Sequence, residues 1–137
     1  QSMEVSSIAI KAKDLSGLID QIKNGLPIRS FDRLRDKIKL SEKALSDTID
    51  ISKRTLTRRK RKGRLSASES ERLVRLGKLF DKAAQVFGSD ETNAAKWFKA
   101  PARGLGGKTP LAMADTELGA QEVYALLVRI EHGVFPG

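Results

Sequence analysis

Residues 42–61 read EKALSDTIDISKRTLTRRKR, and this stretch decides the fold. Two short helical segments meet at a tight turn. Ser41 opens the first, which carries Ala44 and Leu45. Asp50 stands between Ile49 and Ile51 at the turn, where the backbone needs a positive φ; glycine is usual there and aspartate is an acceptable substitute. Ser52 is a good N-cap for the second segment, because its hydroxyl accepts from an orphan amide of the first turn. Ser46 is the small residue where the helices touch, Leu45, Ile49 and Ile51 pack around the turn, and Leu56 anchors the second helix. Spacing and residue types together make a helix-turn-helix. One departure is Arg59, at a third-turn position where an apolar residue is commoner.

Charge points the same way. Residues 53–64, KRTLTRRKRKGR, hold eight Lys/Arg and no acidic group, while the whole chain carries +9. The other 125 residues therefore balance to +1, so the basicity is a patch. Such a patch meets phosphate, and release of condensed counterions from DNA supplies the affinity. A solvated basic run is the plainer alternative, and the capped, patterned surroundings weigh against it. In a helix-turn-helix the second helix enters the major groove amino end first. Ser52, Lys53, Arg54, Thr57 and Arg58 then lie nearest the bases, and Thr55 belongs to the same DNA-binding set. Arginine suits the acceptor pair of guanine, a contact that discriminates by about 1–3 kcal/mol. Arg59, Lys60, Arg61, Lys62 and Arg64 continue toward phosphate, where contacts strengthen binding without choosing sequence. An RNA binder would carry similar charge, but Tyr124 and the few Phe residues sit on apolar faces and offer no stacking platform.

Outward from this motif the pattern stays helical. Before it, Leu15, Leu18, Ile19 and Ile22 share a face, and Gly25 and Pro27 stop that helix. Ser30 is read as the cap of the next, with Phe31, Leu34 and Ile38 inward. The first dozen residues are weakly patterned; Val5, Ile8 and Ile10 make a short strand or a frayed end. After Gly63, the spacing Ser66-Ala-Ser-Glu69 is a capping box. It opens the longest helix, whose stripe of Leu73, Leu76, Phe80, Ala83 and Phe87 is core, with Arg72, Arg75, Lys78 and Lys82 facing out. A helix over about 90–99 presents Ala94, Trp97 and Phe98; the glycine-rich loop that follows reads as a turn, because no Lys-Ser/Thr pair or strand accompanies it. Thr109-Pro110 and Thr116 begin the last two helices, and Val123, Leu126, Leu127 and Ile130 are buried. No stretch alternates at period two for long enough to build a sheet. The expected fold is all-α: a helix-turn-helix bundle joined by a long helix to a small C-terminal helical module. The boundaries are 1–12 as an N-terminal tail, 13–65, 66–88 and 89–137.

Several separated motifs carry a family likeness. They are GLP at 25–27, RTLTRRK at 54–60, GRLSASESERLVRL at 63–76, FG at 87–88, WF at 97–98, LGGKTPL at 105–111, DTELGAQEV at 115–123 and RIEHGVF at 129–135. In this order and spacing the chain resembles the Xre/MbcA/ParS-type antitoxins, whose Xre branch pairs with RES-domain toxins. The likeness runs from about Leu15 to the end. It implies that the helix-turn-helix binds the promoter of its own operon as a dimer or larger assembly. It also implies that residues 89–137, the toxin-binding part, neutralise a RES-type enzyme that consumes NAD. Arg129, Glu131, Val134, Phe135, Pro136 and the Gly137 carboxylate are the candidate toxin contacts, since the last helix and tail approach the toxin's active-site entrance in this family. Read from the residues alone, an apolar residue beyond a C-capping glycine folds back on its helix as readily as it meets a partner, which leaves Val134 open. The departures from the family pattern are Asp50 in the turn and Met113-Ala114 before the final cap.

Composition excludes other classes. With no cysteine there is no disulfide, zinc-thiolate site or thiol nucleophile, and the single histidine, His132, lacks partners for a metal site. No apolar run spans a membrane and no signal peptide is visible. Gln1-Ser2 ahead of Met3 reads as a fusion remnant. The chain reads as a soluble, cytoplasmic protein without cofactor and without catalytic machinery: no nucleophile–base pair, carboxylate dyad or cofactor loop is present. The alternative to an antitoxin is a free-standing repressor whose C-terminal module serves oligomerisation.

Overall fold

A computed structural model describes residues 2–133. Among these, eight α-helices dominate: α1 (Leu15–Asn24), α2 (Ile28–Ile38), α3 (Glu42–Thr48), α4 (Lys53–Lys62), α5 (Ala67–Val86), α6 (Glu91–Phe98), α7 (Pro110–Met113) and α8 (Glu117–Glu131). The caps expected from sequence are in place at Ser41, Ser52, Ser66, Thr109 and Thr116, and Asp90 caps α6 in the same way, each accepting from the amide three residues on. Ser30 is the exception. Helix α2 begins earlier, behind Pro27, and Ser30 is buried inside it. Proline fixes an extended entry at φ −65° and needs no amide partner, so it starts the helix before serine can.

The N-terminal residues are no tail. Strands β1 (Met3–Val5) and β2 (Ile10–Ala12) pair antiparallel, with Val5 opposite Ile10, and a 3₁₀ turn over Ser6–Ile8 joins them. Ile8 is fully buried. Gly77 on α5 makes this possible, because a Cβ there would stand 3.1–3.2 Å from Val5, Ser7 and Ile8. Ser7 then donates its hydroxyl to the Gly77 carbonyl at 3.0 Å and its amide to Asp81 at 3.1 Å. A three-residue strand gives too short an alternation to register as a period, which is why the pattern leaves a short strand and a frayed end equally open here.

Helix α5 is the axis of the molecule. It packs on the hairpin, α1, α2, α6 and α8. Leu73, Leu76, Phe80 and Ala83 are buried along it as the stripe requires. Phe80 meets Phe98 of α6 with ring centroids 6.0 Å apart, and Trp97 bridges Phe98 and Phe87. Phe31, Phe80 and Phe98 are each fully buried, and such a side chain contributes on the order of 2–3 kcal/mol. The glycine-rich loop is closed on itself: the Ala102 amide donates to the Lys108 carbonyl and the Gly107 amide to the Ala102 carbonyl, both at 3.0 Å.

Candidate nucleic-acid and partner interfaces

The helix-turn-helix is built as its spacing requires. Asp50 takes φ +57° at the turn. The Ile51 amide donates to the Ser46 carbonyl at 2.8 Å, and Ser46 is buried where α3 and α4 diverge. Leu45, Ile49, Ile51 and Leu56 are all buried. Arg72 of α5, read from sequence as facing out, instead donates from Nε to the Ile49 carbonyl at 2.7 Å and from its second nitrogen to the Asp50 carbonyl at 3.5 Å. That satisfies carbonyls which a left-handed turn residue leaves without a helical partner.

Helix α4 presents one continuous basic face. Lys53, Arg54, Thr57, Arg58 and Arg61 line a shallow concavity of about 640 Å³. Their spacing of one and three to four residues is that of a single helical stripe. Thr57 donates its hydroxyl to the Lys53 carbonyl, so its methyl is the group turned outward. Ser52 and Lys62 are exposed at the two ends of the helix.

Three residues of the expected DNA-binding set are engaged elsewhere. Arg59 lies against the protein, with Nε 2.7 Å and Nη2 3.0 Å from the two oxygens of Glu69. The Glu69 side chain is 8% exposed and that of Arg59 19%. Burial pushes the Glu69 carboxyl upward most strongly, yet the bonds from Arg59 and the Ser66 amide and the charge of Arg59 together outweigh it and hold the group below its ordinary value. Arg59 is raised, first through the same hydrogen bond. Arg59 is thus a packing residue, and its odd polar character at a third-turn position is explained by its acid. Thr55 is half-buried and its hydroxyl accepts from Ser52 at 3.0 Å. Lys60 remains exposed but pairs with Glu42 of α3, beside Arg35 at 4.0 Å.

Arg64 is also engaged, though it stays exposed. It donates to the Gly25 carbonyl at 2.7 Å. The surrounding seam joins the loop between α1 and α2 to the loop between α4 and α5. The Leu65 amide donates to the Leu26 carbonyl and the Ile28 amide to the Gly63 carbonyl, both at 2.9 Å, while the Leu26 amide donates to the Ser70 hydroxyl at 2.8 Å. The GLP and GRLS segments are therefore two halves of one structural contact.

At the C-terminal module, Arg75 pairs with Glu117 and Lys82 with Glu131, at 3.3 and 2.9 Å. Both cations were read as outward-facing; both tie α5 to α8. Lys82 also stands 5.9 Å over the Tyr124 ring. The Glu131 carboxyl is lowered, chiefly by its bond from Lys82. Arg129 is exposed near the end of α8. Val134, Phe135, Pro136 and Gly137 lie outside the described residues. Gly119 abuts α7 so closely that a Cβ would meet the Met113 carbonyl at 1.7 Å.

Among the described residues four large apolar side chains are left exposed, on α1 and α8. Leu15 and Ile19 of α1 are 57% and 40% exposed, and Leu118 and Tyr124 of α8 are 76% and 50% exposed. Beside them a groove of about 540 Å³ runs between α1, α5 and α8, lined among others by Ile22, Val74, Leu79 and Tyr124. Among the described residues no cluster of His, Asp or Glu could hold a metal ion, and no helix is long and apolar enough to cross a membrane.

Similarity to known proteins comes in two parts that meet within α5. Residues 17–78 match the family model described as the antitoxin Xre-like helix-turn-helix domain. Residues 82–133 match that of the antitoxin Xre/MbcA/ParS C-terminal toxin-binding domain. Over 129 residues the chain is 36% identical to the antitoxin Xre of Yersinia enterocolitica, covering 93% of this chain and 87% of that protein. With the antitoxin Xre of Photorhabdus laumondii it shares 38% over 114 residues, 82% of this chain and 77% of the other.

Proposed function

We propose that this chain, which belongs to the Xre-type antitoxins, neutralises a RES-type, NAD-consuming toxin and represses its own operon, without catalysing a reaction itself. The observation that carries the proposal is the division of surfaces around one helix. The α4 stripe of Lys53, Arg54, Thr57, Arg58 and Arg61 is exposed before α5, and a toxin-binding family region packs along α5 and beyond it.

Operator DNA is read by Lys53, Arg54, Thr57 and Arg58, with Arg61 and Lys62 on phosphate; Ser52 orders the amino end of α4 as its cap. The amino end enters the major groove, and the base-facing arginines supply sequence choice. The toxin is met by the end of α8 and the residues after it: Arg129, Glu131, Val134, Phe135, Pro136 and Gly137. Lys82 holds Glu131 and so ties the last turn of α8 to α5.

The open apolar face supports a homodimer. Leu15, Ile19, Leu118 and Tyr124 are exposed on α1 and α8, the two helices that flank the groove, and exposed apolar side chains of this kind mark a protein interface. Glu71 and Lys78 both line its groove two turns apart on α5, so a two-fold partner can set one against the other. The test of the whole reading is co-purification from cells that carry the operon. A stoichiometric partner that destroys NAD alone and is silent in the complex establishes it; recovery with promoter DNA and no protein partner replaces it with a free-standing repressor.

A further inference from the structure

Residues 92–114 hold four cations, Lys96, Lys99, Arg103 and Lys108, and no acidic side chain. With this stretch and residues 53–64 set aside, the rest of the chain carries a net −3. The charge therefore has a second concentration, and it lies in the C-terminal module. All four cations are exposed. Lys96 and Lys99 are three residues apart at the end of α6 and so share a face.

The position of this basic edge is fixed by two contacts. Lys37 of α2 pairs with Glu91 at the start of α6, at 2.7 Å. Lys99 donates to the Lys39 carbonyl at 3.3 Å. Lys39 is the exposed, left-handed residue that ends α2, two positions before Ser41 caps α3. From the other side, Lys60 of α4 pairs with Glu42. Segment 39–42 is thus held between a cation of the recognition helix and a cation of α6. In a docked helix-turn-helix the first helix of the motif crosses the DNA backbone. Groups flanking the chain that enters α3 then face phosphate.

We infer that Lys96 and Lys99 of the C-terminal module contact the DNA backbone beside the helix-turn-helix, so that the toxin-binding half of the chain contributes to DNA affinity. The inference rests on the groove placement of α4 proposed above. An acidic toxin surface would also attract these lysines. DNA is favoured because Lys99 abuts the segment leading into α3, whereas Glu131 in the last turn of α8 is held to Lys82 of α5.

The test is a titration of the full chain against a duplex of its own promoter and a scrambled duplex, across a range of salt concentrations. Lys96→Gln/Lys99→Gln is expected to weaken both duplexes by the same factor and to flatten the salt slope by about two units, one for each lost phosphate contact. Lys96→Glu, which leaves the Lys99–Lys39 contact intact, is expected to weaken both duplexes while the circular dichroism spectrum and melting temperature stay unchanged. Arg58→Ala serves as the control for the groove. An unchanged slope in both lysine variants, with affinity lost in Arg58→Ala, overturns the inference and leaves the α4 reading standing. An unchanged slope together with weaker capture of the toxin overturns it in favour of an acidic toxin surface. No effect from Arg58→Ala overturns the α4 reading and this inference with it.

Discussion

Arg59 of α4 and Glu69 of α5 face each other with two parallel hydrogen bonds of 2.7 and 3.0 Å, and the same Glu69 oxygen that takes the shorter bond accepts the Ser66 amide at 2.8 Å. One carboxylate thus closes the capping box of α5 and pins the recognition helix to it. The orientation of the DNA-reading face depends on a group at the start of the central helix.

Breaking this pair is expected to destabilise the whole N-terminal half. Arg59→Ala leaves a buried carboxylate with one remaining amide, a loss of about 3 kcal/mol. Arg59→Leu combined with Glu69→Leu restores packing but removes the capping partner, and is expected to recover most of that loss. Chemical denaturation of the three chains decides the matter. If Arg59→Ala unfolds at the wild-type midpoint, the pair is only a surface contact.

The same pair sets an acid limit. The Glu69 carboxyl is lower in the folded chain than in the unfolded one, so the unfolded state takes up the proton first. Its stabilisation is complete above the ordinary glutamate pKa of about 4.3 and is lost as pH falls through the lower folded value. Asp81 has the opposite sign. Burial between α5 and the hairpin raises its carboxyl, which outweighs the bonds from Ser6 and Ser7. Its charged form costs stability at neutral pH, and that cost disappears as pH falls through the raised value. Asp81→Asn, which keeps an acceptor for the Ser7 amide, is expected to raise the melting temperature at pH 7 and to lose that advantage below pH of about 4. Melting curves over this range are the measurement, and an equal difference at every pH removes the charge from the explanation.

On α4 the cations are expected to separate into two kinds. Arg58→Ala is expected to cost about 1–3 kcal/mol on the operator and to narrow the gap between operator and scrambled DNA. Lys62→Ala is expected to weaken all sequences alike and to flatten the salt slope by about one unit. Titrations with both duplexes at several salt concentrations distinguish them. Identical behaviour of the two variants means that α4 does not lie in the groove as argued.

The open apolar face carries its own test. Ile19→Asp and Leu118→Asp place a charge where a partner surface must exclude water. Both are expected to shift the chain to monomer in sedimentation, with the fold intact because the two side chains are 40% and 76% exposed already. A wild-type chain that sediments as a monomer at micromolar concentration refutes the dimer outright.

Most of the helical frame was legible because its signals are local. Apart from α2 behind Pro27, each helix is capped by a hydroxyl or carboxylate three residues ahead of the amide it serves, and each stripe repeats within two turns. The hairpin was legible only as a possible short strand, since what buries it, Gly77 against Val5, Ser7 and Ile8, lies about seventy residues away, where no local period records it. The DNA-reading stripe was visible as charge, but charge alone cannot separate Arg58, which is exposed, from Arg59, which is paired. Two signals for the pair did exist: a polar residue at an inward position of α4, and Glu69 at the third position of a capping box. Arg64, Arg72 and Lys82 carried none, because their acceptors are carbonyls and carboxylates brought near only by the tertiary fold.

Two glycines with nearly the same positive φ give the sharpest contrast between local and tertiary demands. Gly63 ends α4 at φ +84°, and a Cβ there would meet nothing within 4 Å. Gly25 sits at φ +89°, and a Cβ there would stand 2.2 Å from the Leu65 carbonyl oxygen. Gly63→Ala therefore carries only the left-handed penalty, about 1–2 kcal/mol. Gly25, at ψ 125°, lies outside even the left-handed well, so Gly25→Ala carries a backbone strain of its own and must also force apart the seam in which Leu65 bonds to Leu26 and Arg64 to Gly25. Backbone cannot swing aside as a flexible side chain does, so the expected loss is larger, on the order of 3 kcal/mol or more. Because the seam fixes the loop that follows α4, Gly25→Ala is also expected to reduce operator affinity in the fraction that remains folded, and Gly63→Ala is not. Denaturant midpoints and operator titrations on the two variants measure both effects, and equal losses in stability mean that the close approach at Gly25 relaxes without cost.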